Sequence, residues 1–318
     1  LIKLSVKDGN CCGHLKAKSK SDAYENILTK RLVSLFFRWY FTTMLRATIF
    51  MLIGMALIPT ADTASKLLSN SHGYQPLFVA WSRFAIGTLM VLPFVPLKSF
   101  KAFKNPLAWL RGVILAIGIS SISTALSLED LADVFGVFFI APIISYILAT
   151  LFLRETINLQ RTVLLLIGFC GVLLIARPGY GLTAGHGFGI LAGTSYGLFL
   201  TLSRLASRNI DAFGLLITQL AIAGVITAPA AILFWPSMNF TTTYLLVMSG
   251  GASMLGNLFL ILAYGLAPAT QMAPYVYFQL PSAVVLGWVV FGSLPDIWGV
   301  LGLGLLVFSG LGSALVRR

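Results

Sequence analysis

Ten apolar runs, each about 20 residues long and joined by short polar connections, follow a polar N-terminal stretch. They lie near 46–68, 76–96, 109–128, 132–153 and 160–177, and again near 187–206, 213–235, 243–265, 268–292 and 296–316. A run of about 20 apolar residues is long enough to cross the hydrocarbon core as a helix. Helices satisfy every backbone group internally, which lipid requires. The pattern therefore predicts an all-α polytopic membrane protein of ten transmembrane helices, with neighbours antiparallel because the connections are short.

The two sets of five runs repeat one another. Residues 125–171 align with 264–310 at an offset of 139, which pairs Pro142 with Pro281 and Gly171 with Gly310. Ser65-Lys66 aligns with Ser203-Arg204 one residue short of that offset. An odd number of crossings per copy gives the copies opposite orientation. Two inverted five-helix repeats are expected, with a solute site between them near the bilayer midplane, as in secondary transporters. The expected domains are a basic tail over 1–45, a first repeat over 46–177 and a second over 187–316. The tail reads as an over-extended frame or a disordered arm, with Met44 and Met51 as alternative starts to Leu1.

Composition sharpens this picture. Hydrophobic residues make up 58% of the chain, charged residues 10%, and mean hydropathy is +0.90. A soluble domain carries about 25% charged residues. The net charge of +12 follows from topology. Lys98, Lys101, Lys104 and Arg111 follow span two, Arg154 and Arg161 follow span four, Arg204 and Arg208 follow span six, and Arg317-Arg318 end the chain. All fall on one side if both termini are cytoplasmic, as the positive-inside rule requires. Nucleic acid is not needed as a partner, and the expected location is a bacterial inner membrane.

Ionisable residues inside spans are functional candidates by default. Asp62 and Lys66 stand four apart on one face of span one. Arg83 in span two and Asp133 at the start of span four lie at a similar depth on the outer side. This cluster reads either as substrate binding or proton coupling, or as a structural ion pair. Span four carries Phe138, Phe139 and Tyr146 around Pro142, and span nine carries Tyr275, Tyr277 and Gln279 before Pro281. At an offset of 139, Phe138 pairs with Tyr277 and Phe139 with Phe278. Such rings can stack on a flat solute or simply pack between helices. Tyr196 and Asn257 add polar groups at membrane depth, as substrate contacts or interhelical hydrogen bonds. Gly185, Gly189, Gly193 and Gly197 form a smooth ridge for close helix approach. Glu155 reads as a cap or lock at a cytoplasmic helix end, structural like Pro142 and Pro281. No phosphate-binding G-x-x-x-x-G-K-[ST] loop occurs, so the chain has no ATP motor of its own. Its Cys and His residues have no metal-site spacing, and no metal or other cofactor is expected.

The stretch Pro142–Gly179, PIISYILATLFLRETINLQRTVLLLIGFCGVLLIARPG, resembles the EamA-type half of the drug/metabolite transporter superfamily. The helix-four Pro142, the Arg154-Glu155 pair and Gly168/Gly171 stand at the family's characteristic places, and Arg83-Phe84 is similar to its second-helix Arg-Phe. The second half departs from the pattern, with Leu294 where Glu155 would recur. The resemblance implies transport of a small organic solute through a ten-helix bundle, not an enzyme. Asp62-x-x-x-Lys66 is similar to metabolite-uptake members, including riboflavin importers. The expectation is a secondary transporter working by alternating access in the membrane, with a vitamin such as riboflavin as substrate and protons as a candidate coupling ion. Export of amino acids or toxic metabolites stays open, as does a non-transporting interaction or lipid-handling role.

Overall fold

The computed structural model describes residues 11–129, 131–176, 183–292 and 296–316, with side chains from Thr42 onward except at 131–133, 176, 291, 314 and 315. Residues 1–45 and 46–318 form two compact units, and the bundle described below is the second. Helix α1 spans Cys11–His72, so it begins inside the stretch read above as a tail. It is followed by α2 (Pro76–Val91), α3 (Pro106–Leu128), α4 (Leu131–Phe138), α5 (Ala141–Leu153) and α6 (Leu159–Ala176). The second copy comprises α7 (Ala184–Ala206), α8 (Ala212–Leu233), α9 (Phe240–Leu266), α10 (Ala269–Val276), α11 (Gln279–Phe291) and α12 (Ile297–Leu315). Among the described residues there are no strands.

Among the described residues, seven stretches are long and apolar enough to cross a membrane, and Leu159–Ile175 and Ile297–Ser313 are shorter apolar helices. Helix α7, 23 residues long and carrying the glycine ridge, stands at the place of the sixth expected crossing. Local chemistry sets the ends. Pro76, Pro106 and Pro142 occupy first-turn positions, where a missing N–H costs nothing. Asn105, Thr183, Asp211, Asn239 and Asp296 cap α3, α7, α8, α9 and α12 with side-chain oxygens.

Spans four and nine are each two helices, not one. The breaks follow Phe138 and Val276, where α4 passes into α5 and α10 into α11. The four pieces correct the register of the repeat. Helices α4 and α10 are both eight residues long, α5 and α11 both thirteen, and each pair is related by a shift of 138. The left-handed residues that end α5 and α11, Arg154 and Gly292, obey the same shift. Phe139 therefore corresponds to Tyr277 and Phe138 to Val276. The two prolines, one residue out of register, fall at neighbouring places in the first turns of α5 and α11.

The packing carries the same symmetry. Helix α2 packs on α8 and α6 on α12, while the α2–α9 contact is repeated by α3–α8. Apolar residues at the periphery, among them Phe152 (75% exposed) and Ile232 (81%), form a surface suited to lipid tails. The positive-side count needs one correction. Arg111 and Arg161 are buried inside the bundle, so they are not loop cations. Arg161 donates to the Val316 carbonyl beyond α12, and Arg204 to the Tyr264 carbonyl near the end of α9. Exposed carbonyls at a helix C-terminus attract such cations.

Candidate functional site

Three connected spaces run inward from the end of the bundle that carries the α1–α2 connection. The outermost, about 1050 Å³, is lined by residues that include Asn70, Gln75, Ser127 and Glu129. Below it lies a polar vestibule of about 670 Å³ with Ser65, Lys66, Ser69 and Ser123 in its walls. The innermost is a largely apolar chamber of about 470 Å³. Asp62, Arg83 and Ile122 line both vestibule and chamber, so they form the throat between them.

Each wall follows from helical periodicity. Ile58, Asp62, Ser65, Lys66 and Ser69 fall on one stripe of α1, and Ala192, Ser195, Tyr196 and Phe199 on one stripe of α7. The glycine ridge of α7 faces α4 and α5. Added methyl groups at Gly193 and Gly197 would stand 2.5 and 2.7 Å from the carbonyl oxygens of Phe138 and Ala141. That close approach brings the rings of α4 onto Tyr196. Phe138 stacks on Tyr196 at 5.4 Å, and Tyr196 on Phe199 at 6.0 Å. Phe135 joins the other end, 6.1 Å from Phe138. All four rings line the chamber. The column continues beyond Phe199 to the Arg111 guanidinium, 4.3 Å from its ring centroid.

At the throat, Arg83 Nη1 donates to Asp62 Oδ1 at 2.7 Å. Arg83 Nη2 donates to Ser253 Oγ of α9 at 3.2 Å, tying the pair to the second repeat. Arg83 is 4% exposed and Asp62 26%. The carboxylate is therefore the member that faces the cavity, and the guanidinium anchors it from behind. On the chamber floor, Gln279 Nε2 donates to the Tyr196 hydroxyl at 3.2 Å.

The structure thus brings together Asp62, Arg83, Phe138, Tyr196 and Gln279, with Lys66 one helical turn outward in the vestibule. The other candidates lie elsewhere. Phe139 and Tyr277 pack on each other at 6.1 Å in the core beside the chamber. The Tyr146 hydroxyl shares a hydrogen bond with Thr162 of α6. Asn257 bonds back to the Ser253 carbonyl of its own helix, and Tyr275 is buried away from the chamber lining. The Asp133 side chain lies outside the described residues. Sequence reasoning missed Ser253, Ser195, Phe199 and the burial of Arg111. The i, i+3, i+4, i+7 stripe through Ala192, Ser195, Tyr196 and Phe199 was a signal that could have found two of them.

At the opposite end the bundle is closed around Glu155. Its carboxylate accepts from the Ala269 and Thr270 amides at 3.1 and 2.9 Å, and from the Thr270 hydroxyl at 3.0 Å. Arg204 Nε donates to it at 3.4 Å. A carboxylate on the bare N–H groups of a helix N-terminus, here that of α10, is favourably placed.

Residues 45–177 match the EamA-like transporter family. The chain is 26% identical over 253 residues to the S-adenosylmethionine uptake transporter of Rickettsia bellii, covering 74% of this chain and 81% of that protein. It is 24% identical over 277 residues to the riboflavin transporter of Vibrio cholerae, covering 83% and 91%. A solved crystal structure superposes with a TM-score of 0.68 at 16% identity, covering 85% of this chain and 96% of the other. The chain thus carries an EamA-family domain, and its relatives are consistent with an EamA-type transporter of the drug/metabolite transporter superfamily. It is a multi-pass membrane transporter.

Proposed function

We propose that this transporter takes up a small metabolite carrying a flat nitrogen heterocycle, with S-adenosylmethionine as the first substrate to test and riboflavin as the second. The observation that carries the reading is the throat, where an anchored carboxylate, Asp62, stands between a wet vestibule and an aromatic chamber. The rings of Phe138 and Tyr196 offer stacking surface, and Gln279 offers an amide to a heterocycle edge. An accessible carboxylate beside aromatic rings favours a ligand with positive charge. That feature, with the relatives named for S-adenosylmethionine uptake, supports testing it before riboflavin. Entry from the α1–α2 end corresponds to uptake if the termini are cytoplasmic. Inverted repeats provide for alternating access.

The test is uptake of labelled S-adenosylmethionine and riboflavin into proteoliposomes holding the full chain. Asp62→Asn keeps the shape and removes the charge. It is expected to reduce S-adenosylmethionine uptake at least tenfold, as losing a charged hydrogen bond of about 1.5–3 kcal/mol implies. Riboflavin uptake alone would move the substrate to that vitamin. Neither uptake, with export of preloaded amino acids, would replace the reading with the exporter alternative.

A further inference from the structure

The connection from α2 to α3 contains a 3₁₀ helix of eight residues, Leu97–Lys104. Runs longer than three or four residues are uncommon in this geometry. Its period of three residues per turn sorts the segment LKSFKAFK into three edges. Ser99 and Ala102 form the buried edge. Ser99 Oγ donates to Asp211 at 2.6 Å, and both residues lie against Gly214 at the start of α8. Leu97, Phe100 and Phe103 form a second edge, with Leu97 90% exposed and the two rings stacked at 6.3 Å. Lys98, Lys101 and Lys104 form the third, all exposed.

The apolar edge belongs to a larger rim. Phe94 (71% exposed) precedes it, and Trp109 (50% exposed) donates its indole N–H to the Phe103 carbonyl at 2.7 Å. Tryptophan with an apolar body and a satisfied polar tip is typical of the membrane–water interface. An apolar edge beside a lysine edge is the arrangement of a helix lying in that interface. The stems of the lysines follow the apolar edge while their ammonium groups reach the headgroups. At about 2.0 Å rise per residue, successive ammonium-bearing positions are about 6 Å apart. The equivalent connection in the second repeat, residues 234–239 (FWPSMN), carries no charge, so the ladder exists at one end of the bundle only.

We propose that Lys98, Lys101 and Lys104 form a docking edge for anionic phospholipid headgroups, held at the phosphate level by Leu97, Phe100 and Phe103. The occupant is the lipid and not free phosphate, because half the surface is an apolar edge that only a bilayer covers. The attraction is electrostatic and weakens with salt. Native mass spectrometry of the detergent-purified full chain, titrated with phosphatidylglycerol or phosphatidylcholine, reads the effect directly. Wild type is expected to prefer phosphatidylglycerol. Each Lys→Gln change should weaken that binding about fivefold, and the K98Q/K101Q/K104Q triple on the order of a hundredfold. The triple Lys→Arg variant should retain it. Phosphatidylcholine binding and the unfolding midpoint in neutral detergent should stay unchanged in all of them. Equal phosphatidylglycerol binding by wild type and the triple Gln variant overturns the proposal. So does competition by millimolar inorganic phosphate. Binding of polyglutamate in place of lipid preference would assign the edge to an acidic protein and would equally overturn it.

Discussion

Two arginines in the bundle are held in different ways. Arg83 has an acid partner, Asp62, and a hydroxyl from another helix. Arg111, fully buried in α3, has neither a carboxylate nor a partner for Nη2 among the described residues. Nε donates to Ser203 at 2.8 Å, Nη1 donates to the Leu215 carbonyl at 3.0 Å, and the plane rests on Phe199. A buried charge without a counter-charge pays desolvation that two neutral acceptors and a ring do not recover in full. Such a residue is kept for what it does to the site, here through Phe199 in the chamber wall. Arg111→Met, similar in length and neutral, is therefore expected to keep the unfolding free energy within about 1 kcal/mol of wild type. Uptake by the same preparation should fall at least tenfold. A variant that loses stability and keeps transport would show Arg111 to be packing alone. Asp62 and Arg83 could be read from the sequence because charges inside apolar runs stand out against their surroundings. Arg111 was misread because it lies only a few residues inside α3, where a count of loop cations does not separate it from Lys104.

The helices are positioned by small residues as much as by apolar ones. At Gly193 a methyl group would meet backbone, the Phe138 carbonyl at 2.5 Å and its carbon at 3.1 Å, so no side-chain rotation relieves it. Gly193→Ala is expected to cost about 2 kcal/mol or more and to push α4 away from α7, opening the Phe138–Tyr196 stack. Gly187→Ala on the same helix has open space and should be neutral or slightly stabilising. Comparing the two midpoints in one detergent isolates packing from helix propensity. If both variants unfolded with wild type, the ridge would not set this contact. The four-residue glycine period was plain in the sequence; which helix it faces was not, because periodicity identifies a stripe and not its neighbour. The breaks after Phe138 and Val276 were likewise hidden, since α4 and α5 together read as one continuous apolar run. Proline alignment then put the repeat one residue off. Pro142 and Pro281 both fit the first turn of a helix, a place that tolerates proline at more than one position.

The corrected shift of 138 makes the two ends of the bundle comparable residue by residue. Ser65 donates to the Ala61 carbonyl and shares a hydrogen bond with Ser249 at 2.9 Å. Its counterpart Ser203 donates to the Phe199 carbonyl and accepts from Arg111, the counterpart of Ser249. One arrangement is thus built twice, once in the open vestibule and once in the closed end. The vestibule residues Ser65, Lys66, Ser69 and Leu126 map onto Ser203, Arg204, Ser207 and Tyr264. These last four are where Arg204 and Ser207 donate to the Tyr264 carbonyl and Glu155 holds Arg204 and α10. The position equivalent to Glu155 is Ser293, which bears no charge. The closed end is latched by this charged network, and the same four residues should line a second vestibule when it opens. Hydrogen bonds to a charged group contribute about 1.5–3 kcal/mol each, so removing the Glu155 charge should shift the balance between states roughly tenfold or more. With Cys11, Cys12 and Cys170 replaced by alanine, Ser65→Cys is expected to react readily with a polar maleimide and Ser203→Cys slowly. Adding Glu155→Gln should accelerate labelling at 203 and retard it at 65. Faster labelling at both positions would mean loosening without alternation, and an unchanged rate at 203 would mean that Glu155 is not the latch.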